Sequence, residues 1–156
     1  MKIVIAAVGK LRSGPEKALF DKYIERLPWK TSLIEVVDKG PASGEQKRAL
    51  EEQKLLGAIP EGAGVVVLDE AGKALPSLEF AKKLGAWQDQ GTRSLAFILG
   101  GADGLSRKLQ SLADLRLSLG AMTWPHLLAR VLLAEQLYRA STVLSGHPYH
   151  RAKSQE

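Results

Sequence analysis

The 156-residue sequence contains no cysteine. This absence excludes a disulfide framework, thiolate zinc sites, iron–sulfur clusters and a cysteine nucleophile, and we expect a cytoplasmic protein. No run approaches the roughly 18 to 20 apolar residues that a membrane-spanning helix requires. The apolar run at 3–8 is too short for the hydrophobic region of a signal peptide, so it predicts a buried strand.

Several signatures of catalysis and nucleotide binding are also missing. The sequence has no G-x-S-x-G, H-E-x-x-H or G-x-x-x-x-G-K-[ST] pattern, which argues against a hydrolase elbow, a zinc protease and a P-loop. His147 and His150 are separated by Pro148 and have no carboxylate nearby in the sequence, so we predict no metal site.

The composition is that of one globular domain spanning 1–156. Hydrophobic residues make up 45% of the chain and charged residues 25%, which is typical of a folded protein. Lys and Arg total 22 against 17 Asp and Glu, for a net charge of +5. The surplus favours a polyanionic partner such as nucleic acid, although many basic proteins bind none.

Apolar runs alternate with amphipathic segments along the chain. Strands are predicted at 2–8, 33–38, 64–69, 94–99 and 115–119, and helices at 16–27, 44–57, 77–90, 105–113 and 125–145. Pro15 suits the first turn of the first helix. Three of the strands are near-continuous apolar runs, which is typical of parallel strands covered on both faces. The predicted class is therefore α/β, a parallel sheet with helices on both faces.

The last predicted helix is apolar around most of its circumference, and Gly146 suits the position just after its end. One sheet face cannot cover such a helix, so either it is central to the fold or a second subunit covers it. We favour a homodimer.

Ligands of parallel α/β sheets bind at the carboxyl ends of the strands. Here the third, fourth and fifth predicted strands end in segments rich in small residues, at 68–73, 100–104 and 119–126. Glycines permit close approach of the backbone to a flat ligand, but they are equally explained by a tight turn. The segment at 119–126 is either a pocket wall or a helix start that anchors Trp124 in the core.

The carboxyl-terminal segment contains His147, Tyr149, His150, Arg151 and Lys153. Such a basic and aromatic patch can pair with phosphate and stack on an unpaired base, while the alternative is a solvated tail. Glu135 and Arg139 are spaced for an ion pair on the last helix, and Arg139 could also point toward a substrate.

Taken together, a set of motifs resembles a known family. The motifs are Leu68-Asp69, the segments ILGGADG at 98–104, MTWPH at 122–126, EQLYRA at 135–140 and HPYH at 147–150. They resemble the bacterial ribosomal RNA large subunit methyltransferase H family, the pseudouridine-N3 methyltransferases of the SPOUT class. The resemblance covers essentially the whole chain and is specific only in combination.

The resemblance implies a parallel α/β sheet with a carboxyl-terminal trefoil knot that holds S-adenosyl-L-methionine, and no metal. It implies a homodimer that methylates N3 of a pseudouridine in 23S ribosomal RNA on assembled ribosomes. The implied cofactor contacts are Leu68, Gly100, Leu119, Gly120, Ala121, Met122, Thr123 and Trp124. Gly120 is a departure, because the family often carries serine there.

The resemblance also implies roles for the tail, which would reach the cofactor of the other subunit. His150 and Tyr149 are the expected catalytic residues, and His150 is a candidate proton acceptor because imidazole titrates near neutral pH. Arg139, Arg151 and His126 are the expected substrate contacts, with Lys153 assisting.

Three alternatives remain at the level of sequence. The chain could be a SPOUT methyltransferase for another RNA site or a non-catalytic RNA-binding module. A nicotinamide- or nucleotide-binding protein is the third, and the glycine spacing at 100–104 argues against it because it does not match G-x-G-x-x-G.

Overall fold

A computed structural model describes residues 1–37 and 39–151. These residues form five strands and five helices in alternation. In chain order the elements are β1 (Lys2–Val8), α1 (Pro15–Glu25), β2 (Lys30–Val36), α2 (Gly44–Gly57), β3 (Gly64–Lys73), α3 (Ser77–Asp89), β4 (Ser94–Leu99), α4 (Arg107–Ser111), β5 (Leu115–Leu117) and α5 (His126–Ser145). The predicted α/β class is confirmed.

The strands form one parallel sheet in the order β2-β1-β4-β3-β5. The near-continuous apolar runs are the three inner strands, β1, β4 and β3. Most residues of β1 and β4 are buried, and β3 is buried over its first four residues, 64–67. The edge strands β2 and β5 alternate between more and less exposed residues. Parallel strands buried on both faces need apolar side chains at every position, and edge strands do not.

Helices cover both faces of the sheet. On one face α1, α3 and α5 pack through Phe20, Phe80 and Leu137 into a cluster with inner-strand residues such as Ile5 and Phe97. On the other face α2 and α4 contribute Leu55 and Leu109 to a second cluster. Successive strand residues point to opposite faces, so each inner strand supplies both cores.

Two predicted helix boundaries are confirmed in detail. Helix α1 begins at Pro15, where the missing backbone N–H has no cost. Helix α5 ends at Gly146, which adopts a left-handed φ of 75°, and the amide of His147 donates to the carbonyl of Thr142 at 2.9 Å. This left-handed residue and its hydrogen bond end the helix, as expected of glycine at this position.

Three strands differ from their predicted ranges. Strand β2 begins at Lys30 and ends at Val36, and Asp38 of the predicted range lies outside the described residues. Strand β5 ends at Leu117, two residues before its predicted end. Strand β3 continues to Lys73, with a shift in its register against β5 between Leu68 and Lys73. The residues after Asp69 were predicted as a loop because the sequence does not reveal that β5 pairs with β3 again after the irregularity.

Arg130 on α5 joins this helix to the carboxyl ends of β1 and β2. Its side chain is fully buried. Its guanidinium donates to the Glu35 carboxylate at 2.8 Å and to the carbonyl oxygens of Val8 and Gly9, each at 2.9 Å. A buried guanidinium requires such partners because of the cost of removing its charge from water.

Candidate cofactor cavity and carboxyl-terminal tail

A cavity of about 840 Å³ opens at the carboxyl edge of the sheet, where β3, β4 and β5 end side by side. Three stretches of chain line it, at 68–70, 99–105 and 117–126, together with Gln110 and Ala129. The volume lies within the range of about 300 to 1,000 Å³ that is typical of small-molecule sites.

The structure brings seven of the eight predicted cofactor residues to this cavity. They are Leu68, Gly100, Leu119, Gly120, Met122, Thr123 and Trp124. Ala121 lies between two of them but does not line the cavity. His126, predicted as a substrate contact, is the first residue of α5 and also lines it. Trp124 is 38% exposed, so it forms part of the cavity wall and does not anchor the helix in the core.

The glycine loop is both a tight turn and a wall of the cavity. Gly101 and Gly104 form an isolated antiparallel bridge, and the amide of Gly104 donates to the carbonyl of Gly101 at 3.0 Å. A Cβ on Gly100 would lie 2.9 Å from Cγ of Leu105 and 3.0 Å from the carbonyl of Gly104. Glycine is therefore required at position 100 for space.

The turn after β5 is fixed by Ser118. Its hydroxyl donates to the carbonyl oxygen of Gly120 at 2.9 Å and accepts a hydrogen bond from the amide of Gly120 at 3.1 Å. Gly120 has a φ of +120°, a conformation in which a side chain would be strained. The departure from serine noted at this position thus coincides with a backbone that favours glycine.

The cavity is lined by acidic residues and by no Lys or Arg among the described residues. The carboxylates are Asp69, Glu70 and Asp103. Burial alone would raise the pKa of Asp69, but hydrogen bonds from Arg116 and from the amide of Ala71 lower this pKa below its ordinary value. The carboxylate is therefore ionised at neutral pH and paired with Arg116, which leaves Glu70 and Asp103 as the acidic side chains of the lining that can face a positively charged ligand.

The carboxyl-terminal tail folds back after α5 and packs against the middle of this helix. The hydroxyl of Tyr149 donates to Oε1 of Glu135 at 3.1 Å, and its ring packs edge-on against Tyr138 with 4.7 Å between centroids. Arg139 pairs with Glu135 at 2.5 Å and lies over the Tyr149 ring at 4.9 Å. The predicted Glu135–Arg139 ion pair is present, and it also anchors the tail.

Burial and hydrogen bonding change the proton affinity of the tail tyrosine. Burial, a hydrogen bond with Tyr23 and the nearby Glu135 carboxylate together raise the pKa of Tyr149 well above its ordinary value. A hydrogen bond with the same carboxylate raises the pKa of Arg139. Tyr149 therefore stays protonated at neutral pH and acts as a hydrogen-bond donor.

His150 is held through one ring nitrogen. Its Nδ1 lies 3.2 Å from a terminal nitrogen of Arg139. A guanidinium can only donate, so Nδ1 accepts and the neutral ring carries its proton on Nε2. Arg151 is exposed, and Lys153 lies outside the described residues.

Within one chain, the tail and the cavity are far apart. The tail contacts α5 at Glu135 and Arg139, which follow the cavity residue His126 by nine and thirteen residues, or about 14 to 20 Å along the helix. None of Arg139, Tyr149, His150 and Arg151 lines the cavity. The predicted cofactor and catalytic residues therefore form two separate groups along α5.

Several residues that hold the tail were not predicted from the sequence. Tyr23 of α1 lies 6.1 Å from Tyr138, centroid to centroid, and the guanidinium of Arg26 lies 5.9 Å from the Tyr138 ring. The contact depends on how α1 packs beside α5, which no local pattern indicates.

The described residues contain neither a membrane-spanning helix nor a metal-binding cluster. No helix among them combines the length and the apolar character needed to cross a membrane. No group of three or more His, Asp or Glu side chains among residues 1–37 and 39–151 is arranged to hold a metal ion.

The chain is an α/β protein with a cavity at the carboxyl edge of a parallel sheet, where proteins of this class bind their ligands. Comparison with known proteins narrows this class. The family model described as "Predicted SPOUT methyltransferase" matches residues 1–150. A probable methylase family protein from Haemophilus influenzae superimposes with a TM-score of 0.58 over 96% of this chain and 70% of its own, at 14% identity. TrmJ from Z. mobilis gives 0.51 over 89% and 69%, at 13% identity. Both likenesses concern the fold alone.

Relatives with similar sequences identify the family more narrowly than the likenesses of fold do. A protein of Rhodospirillum centenum named ribosomal RNA large subunit methyltransferase H is 50% identical over 97% of this chain and 100% of its own length. A protein of Paramagnetospirillum magneticum with the same name is 52% identical over 97% and 99%. The chain therefore belongs to the SPOUT methyltransferases and, within them, to the ribosomal RNA large subunit methyltransferase H family.

Proposed function

We propose that this protein transfers a methyl group from S-adenosyl-L-methionine to N3 of a pseudouridine in 23S ribosomal RNA, on assembled ribosomes in the cytoplasm. The observation that carries the proposal is the 50% identity to a ribosomal RNA large subunit methyltransferase H over its complete length, which includes both the cavity and the tail. The modified atom and the assembled ribosome as substrate follow from the family resemblance of the motifs.

The cavity fits the proposed cofactor in space and in charge. The glycine loop leaves a cradle that a Cβ at Gly100 would fill, and Leu68, Leu119 and Trp124 offer apolar walls. The carboxylates of the lining suit a ligand with a sulfonium and an ammonium group. When bound, S-adenosyl-L-methionine supplies an electrophilic methyl group, so the protein itself must orient the base and accept a proton.

We assign the proton transfer to the tail. Tyr149, whose hydroxyl proton is donated to Glu135, orients the target base by contact with its ring. His150 accepts the imide proton once Arg139 releases its Nδ1, and Arg139 and Arg151 then hold RNA phosphates. His126 contacts the RNA at the mouth of the cavity. These roles need the tail to lie beside a cavity.

Because the tail contacts α5 about 14 to 20 Å along the helix from the cavity and none of its residues lines that cavity, we propose that the enzyme is a homodimer in which the tail of one protomer completes the site of the other. The surface available for this contact runs along α5. Leu128 and Leu132 are only partly buried and Leu144 is 41% exposed, although all three are apolar. A second protomer would remove these side chains from water.

We further propose that the chain after β4 forms the trefoil knot of the SPOUT class. The supporting feature is the path of this segment. It leaves β5 at one edge of the sheet and returns as α5, from which Arg130 reaches the carbonyl oxygens of Val8 and Gly9 near the opposite edge.

The experiment is a methyl-transfer assay with radiolabelled S-adenosyl-L-methionine on three substrates: intact ribosomes, isolated ribosomal RNA and transfer RNA. Ribosomes come from a strain without the corresponding enzyme. We expect transfer to ribosomes, at a pseudouridine located by nuclease digestion and mass spectrometry. Transfer to transfer RNA alone would indicate another substrate. If S-adenosylhomocysteine also fails to raise the melting temperature, the chain is a non-catalytic module, since a ligand of the native state must stabilise it.

A substitution tests the catalytic role of the tail. His150→Ala should lower methyl transfer to ribosomes by about a hundredfold, within the usual range for loss of a general base. It should leave S-adenosylhomocysteine binding unchanged, because the role proposed for His150 is to take a proton from the base and not to hold the cofactor. Unchanged turnover would remove His150 from the mechanism.

A further inference from the structure

A second, smaller cavity lies on the same edge of the sheet, where β1 and β2 end. Its volume is about 460 Å³. Four of its seven lining residues are basic, namely Lys10, Arg12, Lys17 and Lys39. The other three are Leu11, Ser13 and Val37, so none of the described lining residues is acidic. We call this the basic cavity.

The positive charge of the basic cavity is open to solvent. Lys10, Arg12 and Lys39 are exposed. Lys17 lies 2.5 Å from the carboxylate of Asp21, and this hydrogen bond raises the pKa of Lys17. The remaining three cations therefore dominate the potential that an approaching ligand meets.

The loop that carries Lys10 and Arg12 is held in place by hydrogen bonds of its backbone to Glu35 and Arg130. The amide of Leu11 donates to the Glu35 carboxylate, and that carboxylate is paired with the buried Arg130 at 2.8 Å. Arg130 also binds the carbonyl oxygens of Val8 and Gly9. The loop is thus bonded to β2 and α5, so little conformational freedom is lost when a ligand binds there.

The basic cavity adjoins the cofactor cavity. A Cβ on Gly101 of the glycine loop would lie 3.1 Å from the Val8 side chain at the end of β1. A Cβ on Gly9 would lie 3.6 Å from Nε2 of His126, which lines the cofactor cavity. The two neighbouring cavities differ in the sign of their charge: one is lined by carboxylates and the other by cations.

We propose that the basic cavity binds the phosphate backbone of the substrate RNA next to the nucleotide whose base enters the cofactor cavity. This inference rests on the proposed function, because it takes RNA as the substrate. Opposite charges suit the two ligands: the acidic cavity takes the cationic methyl donor, and the basic cavity takes the polyanion. Phosphate contacts of this kind set the position of the RNA without reading its sequence.

The test compares two triple variants with the same loss of charge. Lys10→Gln, Arg12→Gln and Lys39→Gln remove the exposed cations of the basic cavity. Lys2→Gln, Lys30→Gln and Arg93→Gln form the control. They are exposed residues at or just before the amino ends of β1, β2 and β4, at the opposite edge of the same sheet. Both variants carry +2 in place of +5, so generic attraction to RNA falls equally in both.

The measurement is equilibrium binding to purified ribosomes over a series of salt concentrations. We expect the basic-cavity variant to bind at least about tenfold more weakly near 0.1 M salt. We also expect its slope of log affinity against log salt to be shallower by about 2 to 3, since each lost phosphate contact contributes about one. The control should stay within about twofold of the wild type. Melting temperature and S-adenosylhomocysteine binding should be unchanged in both variants.

Equal weakening in the two variants, or none in either, would overturn the inference. A wild-type protein that binds no ribosome and no ribosomal RNA would overturn it as well. A wild-type protein that binds ribosomes without methylating them would instead contradict the proposed function, and the binding comparison would still decide the role of the basic cavity.

Discussion

The two ends of α5 are built in different ways. At its amino end, the cofactor cavity is shaped by backbone turns, with glycines at 100, 101, 104 and 120. The tail that follows its carboxyl end is held by side chains, through the hydrogen bond and ion pair that join Glu135 to Tyr149 and Arg139. The cavity needs space for a ligand, whereas the tail needs partners that fix a few functional groups.

This difference indicates how each end responds to substitution. Adding atoms should damage the cavity, because Gly100 and Gly101 lie close to neighbouring atoms and Gly104 and Gly120 have a positive φ. Removing atoms or charge should damage the tail, because its position depends on a small number of hydrogen bonds. Substitutions at the two ends should therefore separate cofactor binding from methyl transfer.

The largest effect is expected at Arg130, which fixes the amino end of α5. Arg130→Met should lower the free energy of unfolding by about 3 kcal/mol or more, because it leaves Glu35 and two carbonyl oxygens without their buried partner. Urea unfolding measures this. Arg116→Met is the control: its ion pair with Asp69 is 44% exposed on the arginine side and should cost at most about 1 kcal/mol. Equal costs would contradict the structural role of Arg130.

The next effect is expected in the glycine loop. Gly100→Ala should weaken S-adenosylhomocysteine binding by about 10- to 100-fold, because the Cβ would lie within 3.0 Å of Leu105 and Gly104 and the loop must shift. Calorimetric titration measures the affinity. Gly57→Ala is a matched control, since nothing lies within 4 Å of a Cβ there, and it should bind normally. Normal binding by the position-100 variant would show that the loop does not hold the cofactor.

A smaller effect is expected when the tail loses its anchor. Glu135→Gln keeps an acceptor for Tyr149 but removes the charge that holds Arg139. We expect kcat for ribosome methylation to fall by about tenfold, because the tail is less well positioned. Affinity for S-adenosylhomocysteine should not change. Glu79→Gln breaks an exposed pair with Lys82 on α3 and should retain full activity. If both variants behave alike, the tail does not depend on Glu135.

The smallest effect concerns the pH dependence of stability at the cavity. The pKa of Asp69 is below its ordinary value of 3.8, so its ionised form stabilises the fold. That contribution is complete above about pH 4 and is lost as pH falls through the lowered pKa. Asp69→Asn should cost about 0.5 kcal/mol at pH 7 and less at pH 2. Chemical unfolding at both pH values measures the difference, and an equal cost at both would contradict it.

The sequence predicted the fold and the cavity better than it predicted the support of the tail. Strand runs such as 94–99 and helix boundaries such as Pro15 depend on local pattern, and the structure confirms them. The position of the cavity could also be predicted from the sequence, because parallel strands bring their carboxyl ends to one edge of the sheet. The proximity of Leu68 and Gly100 can therefore be predicted without any knowledge of side-chain packing.

Other features depend on contacts between distant residues. Strand β3 extends past Leu68 because β5 pairs with it again after an irregularity, and Arg130 is buried because α5 lies against the ends of β1 and β2. Tyr23 reaches the tail only through the packing of α1 beside α5. Each depends on pairs of residues far apart in the chain, for which hydrophobic periodicity carries no information.

The central claim is that methyl transfer uses the cavity of one protomer and the tail of the other. The most direct test mixes an inactive cavity variant, Gly100→Val, with an inactive tail variant, His150→Ala, after unfolding and joint refolding. Half of the dimers then contain one of each, and each of these has one site with an intact cavity and an intact tail. The account predicts about a quarter of wild-type methyl transfer to ribosomes. If the mixture stays as inactive as its two components, cavity and tail act within one chain and the account is contradicted.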